Sequence, residues 1–217
     1  MFETNVTLAQ FLLAGQETLF MVAVSLLGGG LLGAIIGIAL VITRPDGVRP
    51  NKVVYTVLNP IVNMLRSLPF IILLVAILPF TKFVVGTSIG TTAAIVPLIV
   101  YIGPFIGRLV ENSLLEVGPG IIEAADAMGA TTWQVVWHFL LPEAKASLVL
   151  SMTTATIGLI GATAMAGAVG AGGIGDLALN YGYQRFDGVA MMITVVILIV
   201  LVQLIQSLGN WLAKKLR

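Results

Sequence analysis

Apolar and polar positions divide the chain into five long apolar stretches, separated by short polar breaks and one long polar segment. The first, residues 18–43, admits only Thr, Ser and Gly among its apolar residues. It stops at Arg44-Pro45-Asp46-Gly47, where Pro and Gly end a helix. As a helix it would measure about 39 Å, enough to cross a hydrocarbon core of about 30 Å with some tilt. The second, residues 53–80, is interrupted by Pro60, Arg66 and Pro69. Its part from Leu68 onward is too short to cross alone, so the span begins before Arg66 and carries that charge near one end. Residues 88–110 form the third, with Pro97 and Pro104 as expected kinks, 148–171 the fourth and 189–208 the fifth. The pattern predicts an all-α integral membrane protein of five transmembrane helices. A short N-terminus (1–14) precedes a transmembrane unit (15–208), and a basic tail (209–217) follows it.

The long polar segment, about 111–145, collects Glu111, Glu116, Glu123, Asp126 and Glu143. Within it Ile121, Ile122, Ala125 and Met128 make one apolar stripe. Trp133, Val136, Trp137 and Leu140 make a second at i, i+3, i+4, i+7. Gly129 breaks the two short helices apart, and Pro142 closes the second. Periodicity alone leaves two readings open. One is an amphipathic hairpin on the membrane surface with its Trp residues at the interface. The other is a docking element, in which Ala124 and Ala125 let a partner approach the backbone while Glu123 and Asp126 offer charges to its rim.

Composition agrees with the membrane reading. Of 217 residues, 58% are hydrophobic and 10% charged, and the mean hydropathy is +1.05; a soluble domain carries about 25% charged residues. A net charge of +1 supplies no basic field for nucleic acid. With no Cys and one His, there is neither a disulfide framework nor the donor set of a transition-metal site. No Lys or Arg precedes Arg44 and the first apolar run is long, so it reads as a retained span rather than a signal peptide. Arg44, Arg49, Lys52, Arg108, Lys145, Lys214, Lys215 and Arg217 fall on one side of a five-span layout, Lys82 and Arg185 on the other. The long segment and C-terminus are therefore expected in the cytoplasm and the N-terminus outside.

The segment from Glu123 resembles a family motif. Glu123-Ala124-Ala125, three residues, Gly129, nine residues, an apolar position (Phe139, where the pattern usually has Ile), one residue, then Leu141-Pro142 is similar to the EAA loop of bacterial ABC importer permeases. Further stretches are similar to the methionine-uptake subgroup: 66–74, Pro79-Phe80-Thr81, 85–90, 94–98 and 167–173. The resemblance implies the type I ABC importer permease fold in the bacterial inner membrane. Glu123, Ala124, Ala125, Asp126, Gly129, Leu141 and Pro142 would dock a separate ATPase. It also implies a homodimer with two cytoplasmic ATPase copies, and a periplasmic or lipid-anchored binding protein that delivers methionine (L, D or related derivatives). A closed twofold dimer is expected on other grounds too, since five helices poorly enclose a gated channel.

This chain has no G-x-x-x-x-G-K-[ST], so it is not expected to be an enzyme or to bind a cofactor; ATP and Mg would sit on the partner ATPase. No acidic residue falls at an expected span centre, which disfavours an ion-coupled carrier. A permease for a different small solute and a membrane scaffold without transport both fit the same apolar pattern. Gly170-Ala171-Gly172-Gly173-Ile174-Gly175 satisfies G-x-G-x-x-G, but it ends a span rather than following a strand. Gly158, Gly161, Ala162, Ala164 and Ala166 read as close helix packing. Met165 among them reads either as ordinary packing or as a flexible apolar gate; by resemblance it would line the dimer axis. Arg66 reads as a snorkelling charge, His138 as a surface residue, and residues 181–187 as an outer turn or a contact for the delivery protein.

Overall fold

Every regular element among the described residues, 4–216 in this computed structural model, is helical. The first helix, α1 (Leu8–Thr43), begins ten residues earlier than its apolar run. Thr7 Oγ1 accepts from Gln10 N at 3.4 Å while Gln10 Oε1 accepts from Thr7 N at 2.8 Å, a reciprocal cap on two otherwise orphaned amides. Residues 8–14 of the expected N-terminal segment 1–14 are therefore helix; residues 1–3 lie outside the described part. Glu17 sits inside α1 and accepts from Gly173 N at 2.7 Å. At 36 residues α1 is about 54 Å long, more than a bilayer core requires.

The second apolar stretch is not one straight span. It divides into α2 (Lys52–Ser67), α3 (Phe70–Ala76) and α4 (Leu78–Val85), and α2 and α3 meet at 104°. Pro69 forces the break: its ring disfavours the helical region for Leu68, which is extended at φ −79°, ψ 127°.

Three other limits move. Helix α5 (Thr91–Leu115) runs past residue 110, so the polar segment begins after Leu115 and not at 111. Glu111 and Ser113 are buried in that helix. The fourth span, α9 (Lys145–Gly167), starts and ends earlier than 148–171. The last, α11 (Gly188–Lys215), absorbs most of the expected tail. Between them lie α6 (Pro119–Ala127), a one-turn α7 (Thr132–Gln134), a π-helical turn over Val135–Leu140 and α8 (Leu141–Glu143). A small helix α10 (Gly173–Leu177) and a second π-helical turn (Ala178–Gln184) precede α11. Helices α1, α5, α9 and α11 are each long and apolar enough to cross; the bent α2–α3 pair makes a fifth crossing if its two arms count as one span, and a re-entrant hairpin otherwise.

α1 and α5 form the backbone of the core. Gly29, Gly33 and Gly37 of α1 face Ile102, Gly103, Ile106, Gly107 and Val110 of α5. A Cβ on Gly33 would lie 2.8 Å from Gly103 O, and one on Gly37 2.6 Å from Gly107 O. Small residues at four-residue spacing on both helices let the backbones touch, the packing that holds helices together where lipid removes the hydrophobic drive. Around this pair Met21, Leu98, Ile102, Ile106 and Leu159 are fully enclosed. Leu27, Leu31 and Ile35 of α1 and Ile199 and Leu204 of α11 stand exposed, as lipid-facing residues should.

Candidate functional site: a docking segment and a bare seam

The segment after α5 folds back on the bundle. Helix α6 ends in a left-handed cap: Ala130 N donates to Ala125 O at 3.0 Å and Gly129 N to Asp126 O at 2.9 Å, with Gly129 at φ +71°. These two bonds satisfy carbonyls the helix end leaves open, and only a residue without Cβ takes that φ at little cost. Thr131 and Gln134 then cap the following turn reciprocally, with Gln134 Oε1 2.8 Å from Thr131 N. Two local caps thus fix the hairpin angle.

The segment has two faces. Ala125, Val135, Val136 and Leu140 are fully buried, while Glu123, Ala124, Asp126, Gly129 and Pro142 are exposed and Leu141 is half-buried. The expected pairing of Ala124 with Ala125 as one open surface is corrected: Ala124 faces out and Ala125 is locked into the core. The predicted stripes are corrected as well. Met128 lies past the last turn of α6 and is exposed. Trp133 and Trp137 also point outward, 5.4 Å apart and edge-to-face, because Val135 and Val136 take the inner face of the widened turn. His138 is exposed, as expected of a surface residue.

Helix α9 carries the second feature. Ser147, Ser151, Thr154, Gly158, Gly161 and Met165 alternate at four- and three-residue spacing, so they share one face. Each of the six is exposed or half-buried, and nothing lies within 4 Å of a Cβ built on Gly158 or Gly161. From Ser147 to Met165 this face rises about 27 Å, close to the thickness of the hydrocarbon core. Small residues expected to pack helices therefore divide by face: Ala162 and Ala166 are buried, Ala164 meets Gly175, and Gly158 and Gly161 stay bare. Met165 is 52% exposed and borders a 560 Å³ apolar groove with Ile71, Leu179, Met191 and Leu198.

Sequence reasoning missed a polar junction inside the bundle. Arg108 pairs with Glu111, and its Nη2 donates to Asn59 at 2.6 Å and Asn63 at 2.8 Å, tying α5 to α2. Arg66, one turn further along α2, is exposed and in no ion pair among the described residues. At the opposite end, Asp187 caps α11 through Ala190 N (2.9 Å) and holds Asn5 N and Thr4 Oγ1, each at 2.9 Å. These bonds, Ala190 N first and then Asn5 N, keep the Asp187 carboxyl below the usual carboxylate range. Arg185 stacks over Tyr181 at 4.3 Å, and Phe186 is 88% exposed at φ +55°. The G-x-G-x-x-G run leads into α10 with no strand among the described residues, so it lacks the setting of a dinucleotide site.

Comparison with known proteins matches this architecture. The chain is 48% identical over 204 residues to the probable D-methionine transport system permease protein MetI of Vibrio cholerae, covering 94% of this chain and 91% of that one. It is 42% identical over 206 residues to the methionine import system permease protein MetP of Bacillus subtilis, covering 95% and 93%. A solved chain from inward-facing conformations of the MetNI methionine ABC transporter superposes with a TM-score of 0.94. That chain is 46% identical and matches over 98% of this chain and 100% of its own length. Residues 29–217 match the family described as the binding-protein-dependent transport system inner membrane component, and the chain belongs to that family.

Proposed function

We propose that this chain is the membrane-spanning subunit of an ATP-driven importer that carries methionine across the inner membrane. The observation that carries the coupling is the two-faced segment. Its inner face (Ala125, Val135, Val136, Leu140) is locked in the core, and its outer face (Glu123, Ala124, Asp126, Met128, Trp133, Trp137) is open. A partner seated on the outer face can move the bundle only through this rigid, doubly capped hairpin. Glu123, Ala124, Ala125, Asp126, Gly129, Leu141 and Pro142 form the docking element, with Ala125 and Leu141 as its inner support. The partner is a separate ABC ATPase that holds ATP and Mg.

Two copies of the chain meet about an axis normal to the membrane, with the bare α9 face of each toward the pathway. Met165 closes that face as a flexible apolar gate near its outer end. Closure of the ATPase pair drives the two docking segments together and opens the pathway outward. A binding protein outside then delivers the solute, and ATP hydrolysis restores the inward-facing arrangement. The docking segment and C-terminus lie in the cytoplasm and the N-terminus outside, in keeping with the distribution of Lys and Arg.

The test is uptake of labelled methionine into proteoliposomes holding this chain, its ATPase and its binding protein. The expected result is uptake only with ATP on the ATPase side, competed by unlabelled methionine and not by other amino acids. Uptake that ignored ATP and followed an ion gradient would overturn the mechanism. ATP-driven uptake of another solute would leave the coupling and discard methionine.

A further inference from the structure

At the docking end of the bare α9 face, α5 and α9 border an open cavity of about 580 Å³. Its polar wall is made by Ser113, Glu116, Glu143, Ser147, Ser151 and Thr154. The hydroxyls behave in two ways. Thr154 turns its proton back to Leu150 O at 3.0 Å, as serine and threonine commonly do in helices. Ser147 and Ser151 instead reach across to α5. Ser147 donates to Glu116 Oε2 at 2.6 Å and lies 3.2 Å from Ser113 Oγ, which is 2.8 Å from Ser151 Oγ. The result is a ladder of oxygens from the mouth to the fully buried Ser113.

No Lys or Arg lines this cavity, and neither Glu116 nor Glu143 is in an ion pair among the described residues. One turn earlier on α5 the situation is the reverse, because there Glu111 has Arg108. A carboxylate accepts only, and each hydroxyl has lone pairs left after giving its single proton. Two exposed carboxylates and three serine oxygens therefore line one open space that holds no cation of its own. The group that satisfies such a wall is a compact donor of several N–H bonds with a positive charge. A primary ammonium has that form.

We propose that this cavity is an exit subsite that holds the ammonium group of the translocated amino acid before release into the cytoplasm. The inference rests on the chain being an amino-acid permease. Glu116 supplies the charge, and Ser151 supplies a neutral acceptor where the cavity joins the bare α9 face. The apolar reach from Gly158 to Met165 has no hydrogen-bonding side chain to offer on that face, so selection for the amino group falls to this end.

The experiment measures equilibrium binding of labelled L-methionine to the detergent-solubilised permease–ATPase complex without binding protein. The competitors are methionine methyl ester, which keeps the ammonium, and 4-(methylthio)butanoate, which lacks it. For the wild type, the ester should compete within about threefold of methionine and the butanoate at least about tenfold more weakly, as loss of a charge-assisted bond implies. In Glu116→Gln, methionine and its ester should weaken by about tenfold while the butanoate is unchanged. Ser151→Ala removes one hydroxyl from α9, should narrow the same gap part of the way, and carries the test if Glu116→Gln fails to assemble. The isolated ATPase, assayed with the same three ligands, gives the binding that is subtracted from every preparation.

Wild-type discrimination retained in both variants, or equal weakening of all three ligands as a mere helix clasp would give, overturns the subsite. So does a wild type blind to the amino group, the result expected if a basic side chain of the ATPase or of the second copy fills the cavity. ATP-driven uptake is measured with the same complexes after reconstitution into proteoliposomes with the binding protein. If the wild type transports methionine while the discrimination is absent, this proposal alone fails; if it transports nothing, the reading of function fails first.

Discussion

Replacing Gly33 by alanine adds one methyl group where α1 lies against α5. The new Cβ would stand 2.6 Å from Ile106 Cβ and Cγ2 and 2.8 Å from Gly103 O. Carbon pairs rest at about 3.5–4.0 Å, so the two helices must part by about 1 Å. Neither obstacle can turn aside, because one is a backbone carbonyl and the other the branch point of Ile106. Overpacking of this kind costs about 1–3 kcal/mol. Alanine is the better helix former by about 0.5–1 kcal/mol, which offsets part of that. The net expectation for Gly33→Ala is destabilisation by about 1–2 kcal/mol, combining these two effects. Gly15 is the control in the same helix: nothing lies within 4 Å of its Cβ position, so Gly15→Ala should gain about 0.5–1 kcal/mol. Thermal unfolding of the purified chain in detergent measures both. For a chain of this size the Gly33 variant should melt roughly 2–8 °C lower and the Gly15 variant slightly higher. Midpoints that moved in the same direction would refute backbone contact as the basis of the α1–α5 packing.

Other changes probe the remaining features. Arg108→Met leaves Glu111 buried without its cation and should cost about 3–5 kcal/mol, whereas Arg108→Met with Glu111→Leu should recover most of it; denaturation midpoints compare the two. The Asp187 carboxyl is held below its ordinary value near 3.8, so its stabilisation is complete above that value and is lost as pH falls through the lower folded one. Hydrogen exchange corrected for intrinsic rate should show the Asn5 and Ala190 amides loosening only below about pH 4, with the step absent in Asp187→Asn. Glu123→Arg combined with Gly129→Asp reverses a rim charge and strains the α6 cap on the exposed face, and should leave the chain inserted but without its ATPase. Co-purification at wild-type yield would remove these residues from the docking element.

What the sequence determined by itself is the material a local window can hold. Four of the five apolar runs form single helices long enough to cross, since a bilayer tolerates no unsatisfied backbone, and the second run is the one that bends. The spacing Glu123-Ala124-Ala125 to Gly129 to Leu141-Pro142 marked the segment proposed to dock the ATPase, and the cap that needs Gly129 is closed by neighbours within six residues. Pro69 announced a break, because its ring restricts the residue before it; the 104° angle between α2 and α3 is visible only in the folded chain. The tertiary structure decided the rest. Arg108 and Glu111 read as the start of a loop, because their charge is visible locally and their partners, Asn59 and Asn63, lie 49 and 45 residues away. The serines of α9 had a readable helical spacing, but spacing is the same for a buried face and an open one. Ala124 and Ala125 are identical in chemistry and adjacent in sequence, yet one faces out and the other is enclosed. Which side of a helix meets a neighbour depends on contacts between residues distant in the chain, and those exist only after the bundle has closed.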